Sequence, residues 1–209
     1  MRERARKRPA VERRRDIIEC AQAVFARDGF AGAASEDVAK EAGIAPSTIY
    51  RYFDTKRDLY LAVLESARSK LLALWSEVDV SAHGPLETIR ELGLNYYEHV
   101  DSRAQFAQLW FQAMADASDP DVRSAIVENF TSQIDMMAKL IDAGRVAGEV
   151  RAGVDPRFAA WQFMAIDLMF DFIHHIGLDD ELDRGKAEDW GETFISTLRS
   201  NNGKHGGGM

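Results

Sequence analysis

A chain of 209 residues with a single cysteine and a formal net charge of −8 has room for one or two domains with a substantial core, cannot form an intramolecular disulfide, and suits a reducing cytoplasm. No apolar run approaches the ~18 residues of a membrane-spanning helix. The acidic total argues at first against a nucleic-acid partner, yet residues 1–70 carry +4 and residues 71–209 carry −12, so attraction to phosphate is confined to the first third of the chain.

In chain order, residues 1–10 form a basic tail without the apolar segment of a secretion signal. Its Arg2, Arg4, Arg6, Lys7 and Arg8 suit minor-groove or phosphate contact, or simple solvation, and both readings stay open. Ile17, Ile18, Ala21, Val24 and Phe25 recur at helical spacing, and Asp28-Gly29 stops that helix. Cys20 falls inside it as a core or half-buried thiol. The segment Ser35 to Tyr60 then holds three helix starts and two stops. Ser35 is expected to cap the first, with Glu36 and Asp37 in its opening turn. Val38, Ala39 and Ala42 give it an apolar face, and Gly43 supplies the left-handed residue that ends it. Pro46 opens a second short helix running to about Phe53. Thr55 and Asp58 form a capping box for the third. Two short helices joined by a glycine turn read as helix-turn-helix, whose second helix lies in the DNA major groove.

The same segment closely resembles the DNA-binding signature of the tetracycline-repressor (TetR) family, which runs Thr-x-x-x-Ile-Ala-x-x-Ala-Gly-Val-Ser-x-Gly-Thr-Leu-Tyr-x-Tyr-Phe-x-x-Lys-x-x-Leu. The matching residues are Ser35, Val38, Ala39, Ala42, Gly43, Ile44, Thr48, Ile49, Tyr50, Tyr52, Phe53, Lys56 and Leu59. In detail the resemblance covers roughly residues 11 to 65; the remainder fits the family in length and helical character. Two positions depart from it. Ala45 stands where a capping Ser is usual, a loss of about 1 kcal/mol that Pro46 partly offsets. Ser47 stands where Gly is usual and adds a hydroxyl near the DNA, so operator preference does not carry over from relatives. The resemblance implies that 46–53 is the recognition helix, with Pro46, Ser47 and Thr48 nearest the base edges and Tyr50, Tyr52 and Lys56 on phosphates. Hydroxyls at Ser47 and Thr48 can donate or accept, and the Thr48 methyl can pack on a thymine methyl. Ser35, at a helix N-terminus, also suits a phosphate. Ile49 and Phe53 read as core.

A helix without a breaker runs from Lys56 to about Val78, which the resemblance makes the coupler between ligand and DNA. Ser81 to Pro85 is a turn. Further helices read as 85–100, 102–116, 120–147, 155–177 and 186–200, with Asp119-Pro120 and Asp155-Pro156 as cap-plus-proline starts and Gly148 to Val154 as a loop. No strand-like alternation of useful length appears. The expected fold is all-α: residues 1–10 as tail, 11–55 as a three-helix DNA-binding domain, 56–200 as a helical effector-binding and dimerisation domain, and 201–209 as a Gly-rich frayed end.

Phe106, Trp110 and Met114 on helix 102–116, Met137 on 120–147, and Trp161 and Met164 on 155–177 make the body rich in aromatic and Met side chains, which suit adaptable binding surfaces and equally an ordinary core. The resemblance implies a small effector among these helices, and the composition favours a largely apolar one. Asp167, Asp171 and His175 recur at spacings of four. They fit polar contacts at a subunit interface or helix end, a polar group of the effector, or a divalent metal; no metal or cofactor is assigned. Trp190, Phe194, Ile195 and Leu198 form one stripe that either joins helix 155–177 in a four-helix interface with a second subunit or closes the monomer core. A homodimer is expected, because a small helix-turn-helix gains by binding two half-sites about one turn apart. No Ser/His/Asp order, Cys/His pair, HExxH, P-loop or GxGxxG appears, so a regulator is favoured over an enzyme carrying an appended helix-turn-helix. The sequence as a whole reads as a cytoplasmic, DNA-binding transcriptional regulator. A ligand-released repressor on a palindromic operator is the expected form, and an effector-independent regulator or an activator the alternative.

Overall fold

A computed structural model describes residues 9–76 and 83–200. They form nine α-helices: α1 Ala10–Gly32, α2 Ser35–Glu41, α3 Pro46–Ile49, α4 Lys56–Ser76, α5 Pro85–Glu98, α6 Val100–Ala115, α7 Pro120–Val146, α8 Pro156–His175 and α9 Arg184–Leu198, with a 3₁₀ turn at Asp179–Glu181. Among the described residues the one strand-like feature is an isolated bridge between Val150 and Arg199. The tail arginines, the far end of the helix expected to reach Val78, Ser81 at the start of the turn and the segment Asn201 to Met209 all lie outside the described residues.

The starts and stops follow local chemistry. Gly29 breaks the path of α1 with φ +66°, and one more turn carries the helix to Gly32. Gly43 closes α2 with φ +62°. Thr55 and Asp58 form the expected box ahead of α4: the Thr55 N–H donates to Asp58 Oδ2 at 3.0 Å and the Asp58 N–H to Thr55 Oγ1 at 3.1 Å. Asp119 Oδ1 accepts the backbone N–H groups of Asp121 and Val122, and Asp155 Oδ1 those of Arg157 and Phe158. Three expectations are corrected. Ala34, not Ser35, is the cap residue of α2, and Ser35 is its first helical position. The recognition helix is one turn, Pro46–Ile49, with Tyr50 to Tyr52 continuing as a turn. The last helix starts at Arg184 because the Asp183 carboxylate accepts the Lys186 N–H at 3.0 Å.

The chain folds as two compact units, and the division falls inside α4, α6 and α7. One unit comprises the residues up to Lys70 together with Gln105–Val127; the other comprises Leu71–Ala104 and the residues from Glu128 onward. In the first unit, Phe25, Phe30 and Tyr60 form an aromatic knot with ring centroids 4.8 to 6.5 Å apart. Leu109, Trp110 and Ala113 of α6 and Val122 of α7 belong to the same core. The segment 11–55 therefore does not enclose a core of its own. The core of the second unit gathers Ile89 of α5, Ile134 and Ile141 of α7, Phe163 of α8, and Phe194 and Ile195 of α9. Phe194, Ile195 and Leu198 of the α9 stripe are thus interior to this unit, and Trp190 is half-buried beside Phe170.

Candidate functional site

The N-terminus of α3 is a surface. Ala45, Pro46 and Ser47 are exposed and Thr48 is partly so, while Ile49, one residue on, is buried and fixes the turn to the core. Tyr50 is 51% exposed, and its hydroxyl donates to Ser35 Oγ at 2.9 Å. Ser35 itself is only 6% exposed. In this structure the oxygen of Ser35, expected to meet a phosphate, accepts from Tyr50 and orients it. Tyr52 is half-buried, and Phe53 is core, with the Arg14 guanidinium over its ring at 4.8 Å. Lys40 and Arg51 are exposed cations flanking this surface that the motif comparison did not single out.

Lys56 has a role that the motif did not reveal. Its Nζ donates to the Phe30 carbonyl at 2.7 Å and the Ala33 carbonyl at 3.0 Å, and lies 4.6 Å from the centre of the Phe30 ring. Two of the three ammonium hydrogens are therefore spent pinning the α1–α2 connection to the start of α4, and one is left for a phosphate. Beside it, Arg57 grips Asp119 through Nε and Nη2 at 2.8 and 2.7 Å, and Nη2 also reaches Asp121 at 2.7 Å. The guanidinium hydrogen bonds, with the two backbone donors, hold the Asp119 carboxyl down at about 2.

The residues expected to bind effector are not gathered in one place. Phe106 and Trp110 pack edge to face at 6.2 Å in the first unit, and Met114 lies at that unit's surface. Met137 and Met164 are core in the second unit. Trp161 is 50% exposed on the outer face of α8. A small cavity, open to solvent at its mouth, does exist in the second unit, between α5, α8 and α9. Tyr97, Phe163, Phe170 and Phe194 contribute rings to its wall, and Asp167 alone of the expected effector residues lines it. Gly93 and Gly191 face it from α5 and α9; helical glycines on a core-facing side are the sequence signal that could have pointed here.

Asp167 is 1% exposed, and neither of its carboxylate oxygens has a hydrogen-bond partner. Asp171, also buried, accepts the Tyr96 hydroxyl at 2.6 Å through Oδ2 and leaves Oδ1 unpartnered. The Arg103 guanidinium lies 3.4 Å from the Tyr96 ring centre and donates to the Tyr96 carbonyl at 2.8 Å. Burial pushes the Asp167 carboxyl well above its ordinary range, against the pull of Arg103, and raises Asp171 as well. Burial and the Asp171 charge push the Tyr96 phenol up in turn. His175 is exposed, so the row at spacings of four splits between interior and surface. With both carboxylates interior, the subunit-contact reading of Asp167 and Asp171 is corrected. Among the described residues no group of three or more His, Cys, Asp or Glu is arranged to hold a metal ion. The outer side of α8 exposes Phe158, Trp161, Leu168, Met169 and Phe172, and Ile176 follows just past its end.

Comparison with known proteins agrees with this architecture. Residues 17–63 match the family model described as bacterial regulatory proteins, tetR family. The chain is 28% identical over 207 residues to the HTH-type transcriptional regulator TtgR of Pseudomonas putida, covering 94% of this chain and 96% of that one. It is 26% identical over 162 residues to the HTH-type transcriptional repressor KstR2 of Mycobacterium tuberculosis, covering 77% and 76%. The crystal structure of FadR from Bacillus subtilis in complex with stearoyl-CoA superposes with a TM-score of 0.72 at 20% identity, over 88% of this chain and 99% of that one. The chain belongs to the tetR family of bacterial regulatory proteins. It is a DNA-binding transcriptional regulator. No helix among the described residues is long and apolar enough to cross a membrane.

Proposed function

We propose that the chain is a ligand-released repressor that binds a palindromic operator as a homodimer. The observation that carries this reading is the pairing of an exposed, hydroxyl-bearing recognition turn with a long unpartnered apolar face on α8. Pro46, Ser47 and Thr48 present the base-reading edge, and Tyr50, Tyr52 and the remaining N–H of Lys56 take phosphates. The exposed stripe from Phe158 to Ile176 is larger than a monomer's scattered surface apolar residues, and a second copy of α8 is its natural cover. A dimer built on that face would have its two-fold axis on the second unit and would offer two recognition turns to two half-sites. A small effector in the second unit would release DNA by favouring a conformation whose half-site spacing misfits the operator, which requires different affinities for the two states. Helices α4, α6 and α7, each continuous through the division between the units, are the elements able to carry that difference.

The test is retention of fragmented source genomic DNA by the purified protein, followed by sequencing. Recovery of a few sites sharing an inverted repeat is the expected result. Uniform retention that vanishes with added salt would reduce the binding to nonspecific phosphate contact and remove the operator reading. A monomeric mass at micromolar concentration would remove the dimer.

A further inference from the structure

The cavity between α5, α8 and α9 has a chemical preference written into its wall. This step rests on the reading of the second unit as effector-binding and deepens it by naming the ligand class. An interior carboxylate normally accepts several hydrogen bonds, since leaving it bare forfeits its hydration without return. Asp167 accepts none, although it is 1% exposed. The cation whose charge reaches it, Arg103, is laid on the Tyr96 ring and donates to the Tyr96 carbonyl. Asp171 accepts from Tyr96 through one oxygen, and Arg103 Nε is itself buried without an acceptor; of the two carboxylates it is Asp167 that lines the cavity, its undonated oxygens lying just behind the wall.

The rest of the wall agrees in sign and character. Tyr97, Phe163, Phe170 and Phe194 offer ring faces and edges, and rings attract cations as well as hydrocarbon. Glu188, held by Arg184 at 2.8 Å, and Glu192, which lies 3.7 Å from Arg90, add two more carboxylates from α9. Arg90 is the one cation among the lining residues, and it is already held by Glu87 at 2.7 Å and Glu192 at 3.7 Å. A carboxylate or phosphate head group would meet the unpartnered Asp167, two acids already paired with arginines, and no free cation among the lining residues. A protonated amine would meet an unpartnered carboxylate inside a ring-lined space.

We infer that the effector is an apolar amine, cationic at neutral pH, with Asp167 as its counter-ion and the aromatic wall holding its hydrocarbon. Three probes of matched skeleton separate the contributions: 4-phenylbutylamine, 4-phenylbutanol and 4-phenylbutyrate, titrated calorimetrically at pH 7.5 into the full chain. The wild type should take the amine at least tenfold more tightly than the alcohol and should reject the carboxylate. Asp167→Asn keeps the shape and removes the charge, so it should weaken the amine at least tenfold while leaving the alcohol within about threefold. A Cβ at Gly191 meets open space, so Gly191→Leu should fill the cavity and abolish binding of every probe without unfolding the protein. Alcohol or carboxylate binding as tight as the amine, or an Asp167→Asn variant that keeps full amine affinity, overturns the cation assignment and leaves the cavity as an apolar site. Amine binding that survives Gly191→Leu lies elsewhere and overturns the site itself. Absence of binding by all three probes at millimolar concentration overturns both.

Discussion

Lys56 can be made to reveal whether it is a phosphate ligand, a structural pin, or both. In Lys56→Met the stem keeps its length and apolar character while the charge is lost. The variant forfeits two charge-assisted hydrogen bonds, to the carbonyls of Phe30 and Ala33, and the ammonium above the Phe30 ring. Lys56 is half-buried, so partial solvation brings each hydrogen bond down to the ordinary value of about 1 kcal/mol, with about 0.5 kcal/mol for the ring contact. The expected loss is about 2 to 3 kcal/mol, which in a chain of this size lowers Tm by about 4 to 12 °C. Thermal unfolding followed by circular dichroism reads that directly. Both acceptors are backbone carbonyls, so the loss should persist at high salt, where an exposed ion pair would be screened. DNA binding is then measured well below the lowered Tm, on specific and unrelated duplexes, across a salt series. Should the third N–H hold a phosphate, both affinities fall by a similar factor and the log–log salt slope flattens by ~0.9. An unchanged Tm would refute the pinning argument outright, whatever happened to DNA affinity.

Other expectations follow from the same geometry. Tyr50→Phe removes the hydrogen bond to buried Ser35, and DNA affinity should fall by about fivefold, equivalent to ~1 kcal/mol, with the fold retained; an unchanged affinity in fluorescence anisotropy would free Tyr50 from that role. Thr48→Ala should change operator preference in a sequence-selection assay, and an unaltered preference strikes Thr48 from the base-reading set. Arg57 holds the folded-state Asp119 carboxyl at about 2, below its ordinary 3.8, so the stabilisation is present above pH ~4 and is lost as pH falls toward 2. Acid unfolding of Arg57→Gln should accordingly diverge from wild type above pH ~4 and converge with it near pH 2, and parallel curves throughout would contradict the linkage. Trp161→Asp, on the exposed face of α8, should yield a monomer by sedimentation without loss of helix content, and a persisting dimer would move the interface elsewhere.

What the sequence disclosed was the chemistry that completes itself within a few residues. Gly43, the Thr55–Asp58 box and the caps at Asp119 and Asp155 each need partners no more than four positions away, so their meaning is local. Lys56 was harder, because its acceptors are 23 and 26 residues upstream, and the motif supplied a phosphate in their place. The effector residues were harder still. Trp161 and Phe163 are two positions apart and equally aromatic, yet two steps along a helix turn through roughly 200°, so one faces solvent and the other the cavity. Richness in rings cannot say which. Phe106, Trp110 and Met114 share the composition of a binding site but lie in the other unit. The stripe on α9 was plain, though its destination depended on whether α5 or a second subunit covered it. Asp167 stood out only as one of a row, and its lack of partners is a property of the packed interior.

The discontinuity of the first unit bears on how this regulator is made and handled. Its core is unfinished until Leu109, Trp110, Ala113 and Val122 arrive, and Arg57 has no carboxylate to grip until Asp119 does. A nascent chain emerging from the ribosome therefore cannot complete its DNA-reading end when the first 70 residues are free; it must wait for more than 50 further residues. A fragment cut after α4 leaves Phe25 and Tyr60 with one side of their packing missing. Transplanting the specificity of this protein onto another scaffold thus calls for α6 and the first turn of α7 to travel with the helix-turn-helix, although neither comes near the recognition turn in sequence.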